Sequence, residues 1–211
     1  MVKRRLLKEN RDWLGVIYGG KGDGKTWLAI KLACMIDPDF CSDQIVFSIE
    51  GLMALVNSGK LHKGSCVIFD EAGIDANAQR YSTDEAVFLD SMFQSIRYRN
   101  VAWIWTCPDA EDLLLKIKRK RNMEFVMLPN RTKTHAPVKI YNIIRNRAIG
   151  EEYRMLPEVE DDNGIVRTLD LLYVTPPENQ KIIKEYEEKR ANIVPKMINS
   201  KYEKLLTKKW F

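Results

Sequence analysis

The residues with the clearest chemical meaning lie near the start of the chain, where glycines alternate with charged side chains. Their order is Gly19, Gly20, Lys21, Gly22, Asp23, Gly24, Lys25 and Thr26, followed by Trp27. This G-x-x-x-x-G-K-T pattern supplies backbone N–H groups that can turn toward one anion, because glycine permits positive φ and close approach. Lys25 would then reach the β- and γ-phosphates of a nucleoside triphosphate, and Thr26 would offer its hydroxyl to Mg²⁺. We therefore predict that residues 19–27 bind a nucleotide.

The sequence on either side of this loop predicts the two elements that the loop must connect. Before it, the apolar run of residues 13–18 is typical of a buried strand. After it, apolar residues recur at helical spacing: Leu28, Ala29, Leu32, Ala33 and Ile36. A helix that begins at the loop points the positive end of its dipole at the bound anion. Strand, loop and helix follow in the required order, which favours phosphate binding over a plain glycine-rich turn.

A second candidate for chemistry is a pair of acidic residues further along the chain. Residues 66–69 form a continuous apolar run, and Asp70 and Glu71 follow it directly. The end of a buried strand would carry Asp70 to the edge of the sheet, where it can hold the Mg²⁺ shell. Glu71 would polarise an attacking water. An acidic pair that merely ends a strand is the alternative, and the upstream loop favours the Mg²⁺ site.

Basic residues in two further places predict contacts with anions. Arg97 and Arg99 follow a predicted helix that Ser82 caps. They either neutralise the end of its dipole or reach the γ-phosphate of a neighbouring subunit as an arginine finger. A predicted helix over residues 109–121 carries the densest positive cluster: Lys116, Lys118, Arg119, Lys120 and Arg121. That cluster is either a solvated helix end or a site for the phosphate backbone of nucleic acid, bound by release of counterions.

Strand and helix patterns alternate through most of the chain. Predicted strands cover residues 13–18, 45–49, 66–69, 101–105 and 123–128. This alternation predicts a parallel, doubly wound α/β sheet. Further on we predict a strand pair over 138–144 and 147–155, an acidic turn over 158–164, a strand over 169–174, and two helices separated by Pro195. We divide the chain into a basic N-terminal segment (1–11), a core domain (12–174) and a C-terminal helical extension (175–211).

Composition is that of an ordinary globular protein. The 211 residues are 45% hydrophobic and 30% charged, which suits one α/β domain with a full core. The net charge of +5 permits nucleic acid as a partner without requiring one. Four cysteines without C-x-x-C spacing indicate reduced thiols in a cytosol-like compartment. The N-terminus lacks the apolar run of a signal peptide, and no stretch is long enough for a membrane helix, so we expect no membrane span.

Taken together, these motifs resemble a known family. The glycine-rich loop, the strand ending in Asp70-Glu71 and the strand ending in Trp105-Thr106 resemble the P-loop ATPases with an additional strand and a catalytic glutamate. Residues 69–72, residues 97–99 and Pro108 are similar to the HerA/FtsK superfamily. Within that superfamily the chain looks like the viral genome-packaging ATPases and the zonula-occludens-toxin-like ATPases. The resemblance covers about residues 12–130.

The resemblance implies a three-layer P-loop NTPase fold of the RecA-like, additional-strand type, with ATP and Mg²⁺ as cofactors. In such a site Lys25 would stabilise charge on the γ-phosphate, and Glu71 would activate water. Thr26 and Asp70 would hold Mg²⁺. Such proteins often carry, after the threonine at the end of the extra strand, a glutamine that senses the γ-phosphate. Cys107 stands at that position, and we assign the sensor role to Thr106.

The function that the resemblance implies is a Mg²⁺-dependent ATPase that forms a homo-oligomeric ring and drives double-stranded DNA into a viral capsid. Arg97 or Arg99 would act across the interface between subunits. We expect the protein in the host cytoplasm or at the assembling virion. One alternative is an ATPase that acts in virion or secretion assembly through protein partners bound by the C-terminal helices. A nucleoside kinase is less favoured because the adjacent Asp70-Glu71 pair suits activation of water. A GTPase is less favoured because residues 130–133 are not an N-K-x-D motif.

Overall fold

Eight hydrogen-bonded strands form the main sheet among the residues that the computed structural model describes, namely 2–70, 91, 100–113, 115–146, 148–161 and 163–208. The strands of this part of the chain are β1 (Trp13–Tyr18), β2 (Ile45–Val46), β3 (Cys66–Phe69), β4 (Ala102–Cys107), β5 (Met123–Met127), β6 (Ala136–Arg145), β7 (Glu152–Met155), β8 (Glu158–Glu160), β9 (Val166–Thr168) and β10 (Leu171–Val174). Its helices are α1 (Val2–Leu7), α2 (Lys25–Ile36), α3 (Ile49–Asn57), α4 (Leu115–Lys118) and α5 (Gln180–Lys208).

The strand order of the main sheet is β10-β6-β5-β1-β4-β3-β2, with β7 paired to β6, while β8 and β9 form a separate hairpin. All pairings from β5 to β2 are parallel, and the pairings of β6 with β5, β7 and β10 are antiparallel. The predicted parallel sheet is therefore confirmed for its first five strands. The strand β4 lies between β1 and β3, which is the position of the additional strand.

The register of the parallel strands brings their ends to one edge of the sheet. Tyr18 at the end of β1 lies opposite Cys107, and Phe69 at the end of β3 lies opposite Trp105. Parallel strands present their carboxyl ends together, and ligands of open α/β sheets bind in the crevice outside those ends. Gly19, Asp70 and Thr106 are thereby placed at the same edge.

Helices cover both faces of the sheet because its central strands are apolar on both sides. The strands β1, β3 and β4 are buried along their full lengths, as expected for a parallel sheet between two helical layers. One core cluster joins the sheet to α1, α2 and α5 and includes Leu6, Ala33 and Ile182. The other joins it to α3 through Leu52 and Leu55. The result is the predicted three-layer arrangement.

Three element boundaries differ from the sequence-based predictions. The second strand ends at Val46, not at residue 49, because Ser48 caps α3 by accepting a hydrogen bond of 3.1 Å from the Gly51 amide. The helix predicted over residues 109–121 is reduced to α4, since a turn in which the Asp109 amide donates to the Asp112 carboxylate precedes it. Pro195 lies inside one continuous helix, α5, and does not separate two.

The region after β6 also differs in detail. The second strand of the predicted pair is shorter than expected and covers only β7. The turn predicted over residues 158–164 begins later than expected, because Glu158–Glu160 form a strand that pairs with Val166–Thr168. All four cysteines are free thiols. Within the described part of the chain, no helix combines the length and the apolar character needed to cross a membrane.

A buried ionic cluster joins β5 to β7. The Glu124 carboxylate, which is fully buried, accepts hydrogen bonds of 2.6 Å from both Arg121 Nε and Arg154 Nε. Arg121 also pairs with Glu152 at 3.0 Å. The Tyr18 hydroxyl donates to Glu124 at 3.3 Å, and burial, followed by the charge of Glu124, raises the pKa of Tyr18 well above its usual range. The cluster fixes the antiparallel extension against the parallel strands.

We expect Glu124→Gln to lower the free energy of unfolding by about 3 kcal/mol, because it removes the buried carboxylate that pairs with both Arg121 and Arg154. Arg154 is half-exposed, and Arg121 keeps Glu152 as a second partner. We therefore expect the loss of stability to lie at the lower end of the range for broken buried ion pairs. Urea denaturation measures the change. Glu158→Gln, on the exposed strand β8, is the matched control and should leave stability nearly unchanged.

Candidate functional site

The glycine-rich loop connects β1 to α2 in a conformation that its glycines permit. Gly24 is the N-cap of α2 and has φ +96°, a value that L side chains rarely adopt. A Cβ atom at Gly24 would also lie 3.1 Å from the Cβ of Ala136. The Gly19 amide donates to the Pro108 carbonyl at 3.2 Å, so the segment after β4 holds the start of the loop. The loop is therefore fixed at both ends.

Lys25 is the first residue of α2, and its side chain folds back across the loop. Its ammonium group donates to the carbonyls of Gly19 at 2.7 Å and Gly20 at 2.9 Å. The Asp23 carboxylate accepts a 2.6 Å hydrogen bond from the Gly20 amide and closes the turn. A positive charge and the positive end of the α2 dipole thus lie at the same loop, which is the arrangement that binds phosphate.

Asp70, directly after β3, is buried and accepts hydrogen bonds from two other elements. Thr106 at the end of β4 donates to Oδ1 at 2.6 Å, and Tyr186 on α5 donates to Oδ2 at 2.6 Å. The Tyr186 hydroxyl also lies 3.5 Å from the Thr26 hydroxyl. The Tyr186 hydroxyl therefore lies beside both side chains, and Thr26 and Asp70 border one polar space.

The donors around this space fit Mg²⁺. A buried carboxylate and an adjacent hydroxyl are hard oxygen donors, the kind that Mg²⁺ prefers. The side chains of Asp70 and Thr26 could therefore hold the metal, with the Tyr186 hydroxyl beside both of them.

A cavity of about 650 Å³ opens beside the loop. Its volume lies in the range of pockets that enclose a small ligand. The lining combines the loop and the metal-binding candidates with residues from α5 and from the segment after β5: Lys21, Gly22, Gly24, Lys25, Thr26, Trp27, Ile30, Asp70, Pro108, Arg131, Ile183, Tyr186, Glu187 and Arg190. The predicted phosphate-binding residues and Asp70 thus share one cavity.

Two side chains that contact the predicted site residues were missed by sequence reasoning. Arg131 stacks on Trp27, with its Cζ 3.6 Å from the ring centroid, and donates to the Gly22 carbonyl at 2.9 Å. Its place after β5, at the carboxyl edge beside β1, is a signal that could have identified it. Tyr186 gave no such signal, because it lies on an apolar helix face 116 residues after Asp70.

The geometry at the end of β4 bears on the role predicted for Thr106 and on the state of Cys107. The Thr106 hydroxyl, assigned as a γ-phosphate sensor, is buried and donates to Asp70, so its contact in the structure is with the metal-binding candidate. Burial raises the pKa of Cys107 to about 12, so this thiol stays neutral at ordinary pH. Glu71, Arg97 and Arg99 lie outside the described residues, and their roles remain predictions.

The basic cluster divides into an inner and an outer part. Arg121 points into the ionic cluster of Glu124 and Glu152, and its side chain is only 11% exposed. We therefore remove Arg121 from the predicted DNA contacts. Arg119 is exposed, and Lys118 and Lys120 are half-buried. Lys116 and Lys118 lie in α4, and Arg119 and Lys120 follow it directly. The DNA-binding role stays a prediction for these four residues.

Comparison with protein-family models and with curated proteins finds no match. Solved structures do show similarity. The N-terminal domain of zonular occludens toxin from Neisseria meningitidis is 14% identical, with a TM-score of 0.45 over 69% of this chain and 94% of that domain. The DNA-packaging ATPase B204 of Sulfolobus turreted icosahedral virus is 15% identical, with a TM-score of 0.46 over 70% and 98%. The flagellar accessory protein FlaH from Methanocaldococcus jannaschii is 14% identical, with a TM-score of 0.42 over 75% and 91%.

The class of the fold follows from the strand order and the loop themselves. The parallel order β5-β1-β4-β3-β2, the glycine-rich loop after β1 and the aspartate after β3 define a P-loop NTPase fold of the additional-strand type. Both kinds of protein named by the sequence resemblance, the toxin-like and the genome-packaging ATPases, occur among the similar solved structures.

Proposed function

We propose that this protein is a Mg²⁺-dependent ATP hydrolase that drives double-stranded DNA into a viral capsid. The observation that carries the catalytic half is the shared cavity, in which the Lys25 loop and the buried Asp70 face one space. A triphosphate bound there would place its phosphates at the loop and its metal between Thr26 and Asp70. Bound Mg²⁺ would neutralise charge on the phosphate oxygens.

Four charged residues would have separate roles in ATP hydrolysis. Lys25 would exchange its two loop carbonyls for β- and γ-phosphate oxygens and stabilise the charge that develops during transfer. Glu71, next to the fixed Asp70, would orient the attacking water and accept its proton. Arg97 or Arg99 would complete the site of a neighbouring subunit, which would tie hydrolysis to assembly of a ring.

The DNA half of the proposal rests on the outer part of the basic cluster. We expect Lys118→Gln with Arg119→Gln to weaken DNA binding similarly for every sequence, because phosphate contacts carry no base information. The slope of log K against log salt concentration should become shallower by about 1 per charge removed. Fluorescence anisotropy with labelled duplex DNA at several salt concentrations measures both effects. A slope equal to that of the unmodified protein would exclude these residues from DNA contact.

One experiment tests the proposal as a whole. ATP hydrolysis is measured with and without double-stranded DNA, and the mass of the oligomer is determined under the same conditions. We expect stimulation by DNA and a mass that corresponds to a ring. The proposed setting is the host cytoplasm or the assembling virion, where a capsid protein would be the further partner.

A second candidate function is an ATPase that acts in virion or secretion assembly through protein partners. The observation that favours it is the group of exposed apolar side chains on the hairpin and edge strands of the C-terminal region: Tyr153, Met155, Val159, Val166 and Tyr173. Exposed apolar side chains of this kind would suit contact with a partner protein. Hydrolysis that DNA leaves unchanged would favour this function over DNA translocation.

A further inference from the structure

The helix α5 crosses the edge of the sheet where the candidate site lies, and polar contacts anchor it on both sides of Tyr186. Glu185 accepts a 2.7 Å hydrogen bond from the Ser42 hydroxyl. Lys189 donates to the carbonyls of Ile45 at 2.7 Å and Ser42 at 3.0 Å. These contacts hold one turn of α5 against the segment that precedes β2, so the position of Tyr186 is determined by the fold.

The side chain of Tyr186 points from this turn into the site. Its ring packs on Phe47, with the ring centroids 5.8 Å apart. Its hydroxyl reaches Asp70 Oδ2 at 2.6 Å and lies 3.5 Å from Thr26. Burial, followed by the negative charge of Asp70, raises the pKa of Tyr186 well above its usual range. The phenol O–H therefore donates a hydrogen bond to the carboxylate.

We propose that Tyr186 is a positioning residue for the metal-binding carboxylate of Asp70. The inference rests on the proposed function and deepens it, because it makes the C-terminal helix part of the nucleotide site. A carboxylate offers about four lone-pair sites. Thr106 and Tyr186 each occupy one, on different oxygens, which fixes the rotation of the carboxylate and leaves the remaining lone pairs for the metal and its water.

The two partners of Asp70 differ in their origin. Thr106 belongs to β4 in the centre of the sheet, whereas Tyr186 belongs to α5, a separate helix that packs against the sheet through Ile182 and Tyr186. A shift of α5 would therefore change the orientation of Asp70 without any change in the sheet. Metal binding and the position of α5 are coupled in this arrangement, and the coupling acts in both directions.

The test is Tyr186→Phe, which removes the hydroxyl and keeps the ring on Phe47. Binding of Mn²⁺ in the presence of a non-hydrolysable ATP analogue is measured by the electron paramagnetic resonance of the free ion. We expect the affinity for Mn²⁺ to fall by about 10- to 100-fold, the usual loss when a partner of a metal ligand is removed. Binding of a fluorescent ATP analogue in EDTA should stay unchanged, because the phosphate loop is intact. Tyr173→Phe, at an exposed tyrosine, is the control and should change neither value.

Either of two results with Tyr186→Phe would overturn the inference. An unchanged affinity for Mn²⁺ would show that the hydroxyl does not position Asp70, and a higher affinity would show that it competes with the metal. Failure of the unmodified protein to bind any ATP analogue would overturn the proposed function and this inference with it. Should the variant not fold, 3-fluorotyrosine at position 186 gives a ¹⁹F resonance that is expected to shift when Mg²⁺ joins the nucleotide complex; a constant resonance would contradict the inference.

Discussion

Lys25→Met is expected to lower kcat for ATP hydrolysis by about three orders of magnitude, the upper range for removal of one preorganised electrostatic contact. The ammonium group of Lys25 lies over the loop and donates to two carbonyls, at 2.7 and 2.9 Å, which it would exchange for the oxygens of a bound phosphate. Methionine has a similar length and shape but carries no charge, so the loss isolates the electrostatic contribution. Steady-state release of phosphate measures the change.

The control for this substitution is Lys31→Met, also on α2. Lys31 donates to the Thr175 hydroxyl at 2.5 Å, is not among the residues that line the cavity, and should tolerate the same change with nearly full activity. The folded state is monitored by thermal unfolding, because Lys25 also contributes hydrogen bonds to the loop. Hydrolysis at the normal rate in Lys25→Met would show that the loop is not the phosphate-binding element.

The central part of the fold could be predicted because its signals are local. The residues of β1 and β3 are apolar without interruption, and each run is followed at once by residues suited to phosphate or metal. Periodicity and glycine placement encode such elements within a few positions. The same local evidence predicted that Gly24, Lys25 and Asp70 share a site, because parallel strands end at one edge.

The parts that were missed depend on competition between nearby elements or on contacts over long distances. The pattern of residues 45–49 predicts a continuous strand. In the structure the cap at Ser48 sets the start of α3 at Ile49. A proline normally breaks a helix because it lacks an N–H donor, yet α5 continues through Pro195.

Side-chain contacts at the site were missed because they depend on tertiary structure. Arg131 and Tyr186 reach the site only through tertiary structure, 109 residues from Gly22 and 116 residues from Asp70 respectively. The charge of Arg121 suggested a solvent-facing residue, whereas its actual partner, Glu124, is buried three residues further on. Side-chain direction in such cases is set by packing, which a single sequence does not reveal.

Glu71→Gln is expected to lower kcat by about 10² to 10⁴-fold, the usual contribution of a general base, while nucleotide binding is retained. Glu71 directly follows Asp70, which lines the cavity and is held by hydrogen bonds from β4 and α5. Glutamine keeps the size and the hydrogen-bonding oxygen of the side chain but cannot accept the proton of the attacking water. A single-turnover assay separates the chemical step from binding, which a fluorescent ATP analogue measures directly.

Asp70→Asn is the informative companion to this variant, because the two acids are assigned different tasks. Loss of the Asp70 charge should weaken metal-dependent nucleotide binding as well as hydrolysis, whereas Glu71→Gln should affect hydrolysis alone. If Glu71→Gln hydrolyses ATP at the normal rate, Glu71 has no part in activating water. If it instead loses nucleotide binding, the division of tasks between the two carboxylates is wrong, and Glu71 belongs with Asp70 at the metal.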